Sequence, residues 1–162
     1  MFLGLLLSSF LTLVEYNVEN LFDTHHDEGK DDTEYLPDAT RQWTEKRYWK
    51  KLDCIGKAIL SCSEEGIPDL VALCEVENDV TMHDLTKRSL LRNAGYEYVM
   101  TSSPDARGVD VALLYSPFTF SLINSYGIGV PTIEGMRPTR EHLRSAVLTT
   151  VLHLSIILVV RL

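Results

Sequence analysis

Residues 70–74 read Leu-Val-Ala-Leu-Cys, apolar at every position, between Pro68-Asp69 and Glu75-Val76-Glu77-Asn78. A strand with one face in water alternates apolar and polar side chains. A strand that does not alternate is covered on both faces, as in a sheet sandwiched between layers. The chain must therefore supply packing on two sides of this segment. With 162 residues, 45% of them hydrophobic, it has enough material for one domain with a sizeable core. Nine Gly and six Pro exclude collagenous and low-complexity classes.

The flanking segments supply the layers. Residues 10–16, Phe-Leu-Thr-Leu-Val-Glu-Tyr, read as a buried first strand. Residues 45–63 read as a long amphipathic helix: Trp49, Leu52, Ile55, Ile59 and Leu60 recur at three- and four-residue spacing. Thr44 stands at its N-cap, and Gly66 with Pro68 stops it. Lys46, Arg47, Lys50, Lys51 and Lys57 lie largely off the apolar stripe and read as a solvated face rather than a phosphate-binding surface. A second helix is expected over residues 81–93, closed by Asn93 and Gly95, with strands over 96–100, 109–115 and 118–123 and a further one near 143–152. The order β-α-β-α-β-β-β predicts an α/β fold with a mixed sheet. The strands near 11–17, 69–75, 96–101, 109–115 and 118–123 are expected to share that sheet, with the long helix on its outer face.

Charge narrows the function. Fifteen Lys and Arg against 23 Asp and Glu leave a formal charge of −8. A wide basic surface for nucleic acid is excluded, so any polyanion needs a local basic site or a bound cation. Cys54, Cys62 and Cys74 form an odd set without a CxxC pair, which argues against a disulfide framework or structural zinc. Residues 23–34 carry six carboxylates and one lysine and read as a solvated loop, its His25-His26 pair included. At the ends, residues 1–14 are almost wholly apolar and read as a degenerate signal segment or as a leader into the first strand. The first reading would place the protein in the periplasm or outside the cell, the second in the cytoplasm. Residues 146–160 are apolar but too short for a membrane span, so no stable span is expected.

Two strand ends carry chemistry. The first strand runs into Tyr16-Asn17-Val18-Glu19-Asn20, the central one into Cys74-Glu75-Val76-Glu77-Asn78. Ligand sites of open α/β sheets lie at the carboxyl ends of strands. If the two strands are neighbours, Asn17, Glu75 and Glu19 converge there as hard oxygen donors suited to Mg²⁺, Mn²⁺ or Ca²⁺. An Asn and a Glu in such places also serve as caps and turn residues.

The segments YNVENLFD, the acidic loop, WTEKRYWKKLDCIGKAIL, PDLVALCEVEN and RGVDVALLY together resemble the first half of the endonuclease/exonuclease/phosphatase superfamily, most closely its bacterial members of endonuclease type. The resemblance spans residues 12–145 in consecutive order. It implies half of a deoxyribonuclease-like four-layer α/β sandwich, a mixed sheet with helices on its outer face. It also implies divalent-metal-dependent cleavage of phosphoesters. By the same resemblance Asn17 and Glu75 are catalytic and hold the metal. Glu19, where many relatives have Asp, is a further ligand, and Arg140, near Arg137 and Arg144, contacts a substrate phosphate. Arg107-Gly108 reads as a turn.

The later family motifs, an Asp-x-Asn pair and a closing Asp-His, do not follow Arg144, and residues 146–162 depart from the family pattern. The expectation is a domain truncated to its N-terminal half, weakly active or inactive. Its substrate class is nucleic acid or another phosphodiester. The alternatives are a phosphatase or phospholipid phosphodiesterase of the same family, and a non-catalytic fragment acting through protein contacts. Loss of a second sheet would leave an apolar face uncovered, inviting aggregation or self-association.

Overall fold

The computed structural model describes residues 11–64, 66–129, 142–149 and 155–160. Four strands form the first sheet: β1 (Leu13–Leu21), β2 (Leu70–Val76), β3 (Glu97–Met100) and β4 (Asp110–Tyr115), in the order β1-β2-β4-β3. β1 runs parallel to β2, while β4 is antiparallel to both β2 and β3. The sheet is mixed, as the element order predicts. The first strand starts three residues later than expected and continues to Leu21.

The unbroken apolar run of β2 is explained by its two faces. Val71, Leu73 and Val76 belong to one buried cluster with Leu52, Ile55 and Ile59 of the helix α1 (Glu45–Leu60). Leu70, Ala72 and Cys74 belong to a second cluster with Val111, Leu113, Phe120 and Leu143. Alternate side chains of one strand thus serve two cores. Helix α1 ends at Leu60, three residues before the expected boundary. There the Ser61 N–H donates to the carbonyl of Lys57 at 3.0 Å. Thr44 occupies the N-cap position with extended backbone, but its side chain makes no capping bond.

Residues 79–93 do not form one continuous helix. An α-helical turn, α2 (Asp79–His83), passes into a π-helical turn over Asp84–Arg88 and then, past Ser89, a 3-10 turn over Leu90–Asn93. Ser89 makes the break: its N–H reaches back five residues to Asp84 at 2.8 Å, and its hydroxyl bonds the Leu85 carbonyl at 2.5 Å and accepts the Leu91 N–H at 3.2 Å. A serine that satisfies backbone groups locally competes with helix propagation.

The expectation of one five-stranded sheet is corrected at the fifth strand. β5 (Phe120–Ile128) pairs with β6 (His142–Thr149), and β6 with β7 (Ser155–Val160), as an antiparallel second sheet. A tight turn directs the chain there, with the Thr119 and Phe120 N–H groups both bonded to the Ser116 carbonyl at 3.1 and 2.9 Å. Phe120, 1% exposed, then packs into the cluster on the far face of β2 and β4. The apolar face expected to stand uncovered is therefore packed within the chain, and the ground for self-association through it falls away. Among the described residues no helix is long and apolar enough to cross a membrane. The proposed leader falls mostly on residues 1–10, outside the described residues.

Candidate active site

The carboxyl ends of β1 and β2 meet in a paired irregularity. Asn17 pairs with Cys74 and Leu21 with Val76, so residues 18–20 stand against Glu75 alone. On the other side of β2, Cys74 and Val76 pair with the consecutive residues Val111 and Asp110, so Glu75 is bulged there as well. Glu19, Asn20 and Glu75 have φ of 55°, 62° and 65°, the left-handed region. Each such non-glycine residue costs on the order of 1–3 kcal/mol, and such positions gather where function needs them.

Side chains of the same site hold the strained segment. The Asn17 Oδ1 accepts the Glu19 N–H at 2.8 Å, and the Glu75 Oε2 accepts the Asn20 N–H at 3.1 Å. From α1, the Lys51 ammonium donates to the Glu19 and Asn20 carbonyls at 2.6 and 2.8 Å. Burial pushes the Lys51 pKa down, while the carboxylates of Glu19 and Glu75 oppose that shift and Arg41 adds to it. The lysine therefore sits within the field of the site.

These residues line a cavity of about 510 Å³. The strand ends contribute Asn17, Glu19, Asn20 and Glu75 to its lining; α1 and the segment before it contribute Tyr35, Arg41, Trp43, Arg47 and Lys51. The Trp43 indole N–H donates to the Phe22 carbonyl at 2.9 Å, and Tyr35 stacks on Phe22 with ring centroids 4.1 Å apart. The Arg41 guanidinium lies 4.9 Å from the Tyr35 ring centre and that of Arg47 5.6 Å from Trp43. Three cations against two carboxylates line this cavity, in a chain of formal charge −8. A local basic site of this kind is what so acidic a chain needs in order to hold an anion.

The structure brings Asn17, Glu19 and Glu75 to one cavity, as their strand ends imply. An amide oxygen and two carboxylates are an oxygen-only donor set, which fits a hard divalent cation that keeps much of its water. Among the described residues no three His, Cys, Asp or Glu side chains gather as a metal-holding group. Arg140 and Arg137 lie outside the described residues.

Arg47 is exposed, as expected of a solvated face, yet with the half-buried Lys51 it lines the cavity; Tyr35, Arg41 and Trp43 join them without a local pattern that marks them. The signal of the helical pair was spacing: Arg47 and Lys51 are four apart, hence on one side of the helix. Lys46, Lys50 and Lys57 are exposed, as expected of a solvated face.

The acidic segment is also less solvated than its composition suggests. Asp23 and Asp32 are buried. Asp23 accepts the His25 N–H at 2.7 Å, and Asp32 accepts the Asp27 N–H at 2.8 Å and meets the His26 ring. Backbone donors satisfy these carboxylates, which permits their burial. Lys30 spans from this segment to the carbonyls of Ser103 and Asp105 at 3.3 and 2.9 Å, its stem packed over the left-handed Gly108. Arg107 and Gly108 form the expected turn, closed by the Gly108 N–H on the Asp105 carbonyl at 3.1 Å.

The polar run after β2 divides its labour. Glu75 faces the cavity. Glu77 is buried and accepts the Asp23 N–H at 2.7 Å; burial pushes its carboxyl up to about 8, against that hydrogen bond and with help from Asp23, Asp27 and Asp32. Asn78 caps α2 in a reciprocal pair with Thr81.

A family model described as Endonuclease/Exonuclease/phosphatase family matches residues 12–150. Among curated proteins there is no match. Solved structures similar to this chain include ANGEL2, a 2′,3′-cyclic phosphatase in complex with adenosine-2′,3′-vanadate, with TM-score 0.60 and 14% identity over 92% of this chain and 40% of that one. D. rerio TDP2 complexed with a single-strand DNA product gives TM-score 0.52 and 17% identity over 92% and 44%. A mannosyl-6-phosphatase of Bacteroides thetaiotaomicron gives TM-score 0.56 and 13% identity over 91% and 49%. The chain spans under half the length of these three structures, and at such identities the likeness is one of fold.

Proposed function

We propose, from the premise that this chain belongs to the Endonuclease/Exonuclease/phosphatase family, that the cavity at the ends of β1 and β2 is the metal- and phosphate-holding edge of a phosphodiesterase acting on nucleic acid. The observation that carries this reading is the shared cavity: Asn17, Glu19 and Glu75 line it together with Arg41, Arg47 and Lys51. In this reading Asn17 and Glu75, with Glu19 beside them, hold a divalent cation of the Mg²⁺ or Mn²⁺ type, and the reacting phosphate lies beside that cation. A bound cation there supplies neutralisation of the charge that develops on phosphate oxygens during attack. The chain's own part is to present these oxygens rigidly. Lys51 and the two backbone N–H bonds hold the bulge that carries them. The single-strand DNA product in one structural neighbour favours nucleic acid as substrate; the phosphatases among the others leave smaller phosphoesters as the comparison substrates.

The test pairs metal titration with turnover. Mn²⁺ binding followed by electron paramagnetic resonance should weaken at least about tenfold in Glu75→Gln, the loss that removing even an outer partner of a metal site brings. Hydrolysis of plasmid DNA and of bis-(p-nitrophenyl) phosphate with Mg²⁺ or Mn²⁺ should be slow and lost in the same variant. Unchanged Mn²⁺ affinity in Glu75→Gln would refute the assignment of Glu75.

A further inference from the structure

We propose that Arg41 and Arg47 form a second phosphate subsite, which selects substrates carrying another phosphate beside the one held at Asn17 and Glu75. This rests on the reading of the cavity as a phosphodiesterase site and names what that site recognises. Three observations lead to it.

First, the cations of the wall have different duties. The Lys51 ammonium is committed to the Glu19 and Asn20 carbonyls at 2.6 and 2.8 Å, and so it positions the bulge. Arg41 is held through Nε alone by Glu34, at 2.8 Å. Arg47 is held through Nη1 alone, on the carbonyls of Arg41 and Gln42. Each guanidinium is anchored by one nitrogen, and its remaining donors are the planar fork that matches phosphate oxygens.

Second, both guanidiniums are pre-organised. Arg41 lies over Tyr35, and Arg47 over Trp43. The two rings are themselves fixed, Tyr35 by stacking on Phe22 and Trp43 by its bond to the Phe22 carbonyl. The left-handed backbone of Gln42, φ 48°, belongs to the turn whose carbonyls hold Arg47. A cation already immobilised loses less entropy on binding an anion than a free surface arginine does.

Third, the cavity is larger than one phosphate requires. At about 510 Å³ it falls in the range of small-ligand sites and has room for a nucleotide-sized group. Tyr35 is buried with Phe22 stacked on it and Arg41 over it, and Trp43 is buried with Arg47 and Lys51 over it, so neither ring is open to a base. The wall therefore reads phosphate and not base, and recognition is independent of nucleotide sequence.

The test is calorimetric titration of the full chain, saturated with Mn²⁺, by three thymidine oligonucleotides: TpT, the 5′-phosphorylated pTpT and TpTpT. pTpT and TpTpT, with two phosphates each, should bind about tenfold more tightly than TpT. The relative strength of these two separates a terminal phosphate from an internal one as the preferred second group. Arg41→Ala and Arg47→Ala should abolish the advantage of both, and Arg47→Lys, which keeps charge and fold but not the planar fork, should reduce it. Replacing pTpT by pApA should leave affinity unchanged.

Equal binding of all three thymidine ligands by the wild type would overturn the proposal. So would an undiminished advantage in both alanine variants whose circular dichroism is native, or a base preference as large as the phosphate advantage. The arginine variants separate the two readings. Arg41→Ala and Arg47→Ala should keep wild-type Mn²⁺ affinity and lose only the preference for two phosphates, whereas failure of the metal assignment shows as unchanged Mn²⁺ affinity in Glu75→Gln.

Discussion

Glu75, on β2, and Glu77, just past its end, stand two positions apart and face different chemistry. Glu75 is half-buried at the cavity and accepts a backbone N–H from the bulge. Glu77 is buried under the acidic segment, where desolvation first, and then Asp23, Asp27 and Asp32, push its carboxyl up to about 8. Its folded pKa is thus raised above the ordinary carboxylate value, and the fold binds its proton more tightly than the unfolded chain. The stability it contributes is present below about pH 4.5 and is lost as pH rises toward 8. Urea denaturation of the metal-free protein should show stability falling over that window, by an amount on the order of a few kcal/mol. Glu77→Gln, which keeps an acceptor for the Asp23 N–H, should flatten the dependence. A wild-type profile that is flat or rising over the window would contradict it.

Helix α1 joins packing to the site. Its inner face, Leu52, Ile55 and Ile59, is buried against the first sheet, while the neighbouring Lys51 reaches the strained bulge of β1. Helix and strand end therefore hold one another in register. Lys51→Met keeps most of the buried stem and removes the two donated bonds. The expected cost is about 2 kcal/mol in chemical denaturation, the scale of bonds to a charged group. Mn²⁺ affinity should fall with it, because the Asn20 N–H on Glu75 loses its support. An Mn²⁺ affinity equal to wild type would mean that the bulge stands without the lysine.

At the scale of the molecule, the two sheets pack through a small cluster in which Phe120 is the largest side chain. Phe120 enters at the first residue of β5, directly after the turn that carries the chain from one sheet to the other. Phe120→Ala should cost about 3–5 kcal/mol, as truncation of a buried aromatic does. The loss should appear as a lower urea midpoint with Mn²⁺ binding at the far ends of β1 and β2 retained under native conditions. Loss of metal binding in a variant that is still folded would instead mean that the second sheet positions the site.

Local pattern in the sequence determined much of this protein. The unbroken apolar run at residues 70–74 required cover on both faces, the three- and four-residue spacing after Thr44 required α1, and polar residues at two strand ends located Asn17, Glu19 and Glu75. Periodicity reports how many faces of an element are covered, and this is a local property. It does not report which element does the covering. The placement of β5 in a second sheet therefore depended on the turn at Ser116 and on where Phe120 found apolar partners. Composition made residues 23–34 look solvated, yet backbone N–H groups brought into range by folding allow Asp23 and Asp32 to be buried. A charged side chain likewise carries no local mark of its partner. Arg47 and Lys51 became part of a cavity only because the parallel pairing of β1 with β2 put a three-against-one bulge beside the first turns of α1. Elements were written in short-range pattern; the cavity that Asn17 and Glu75 share with Arg47 and Lys51 was decided by long-range pairing.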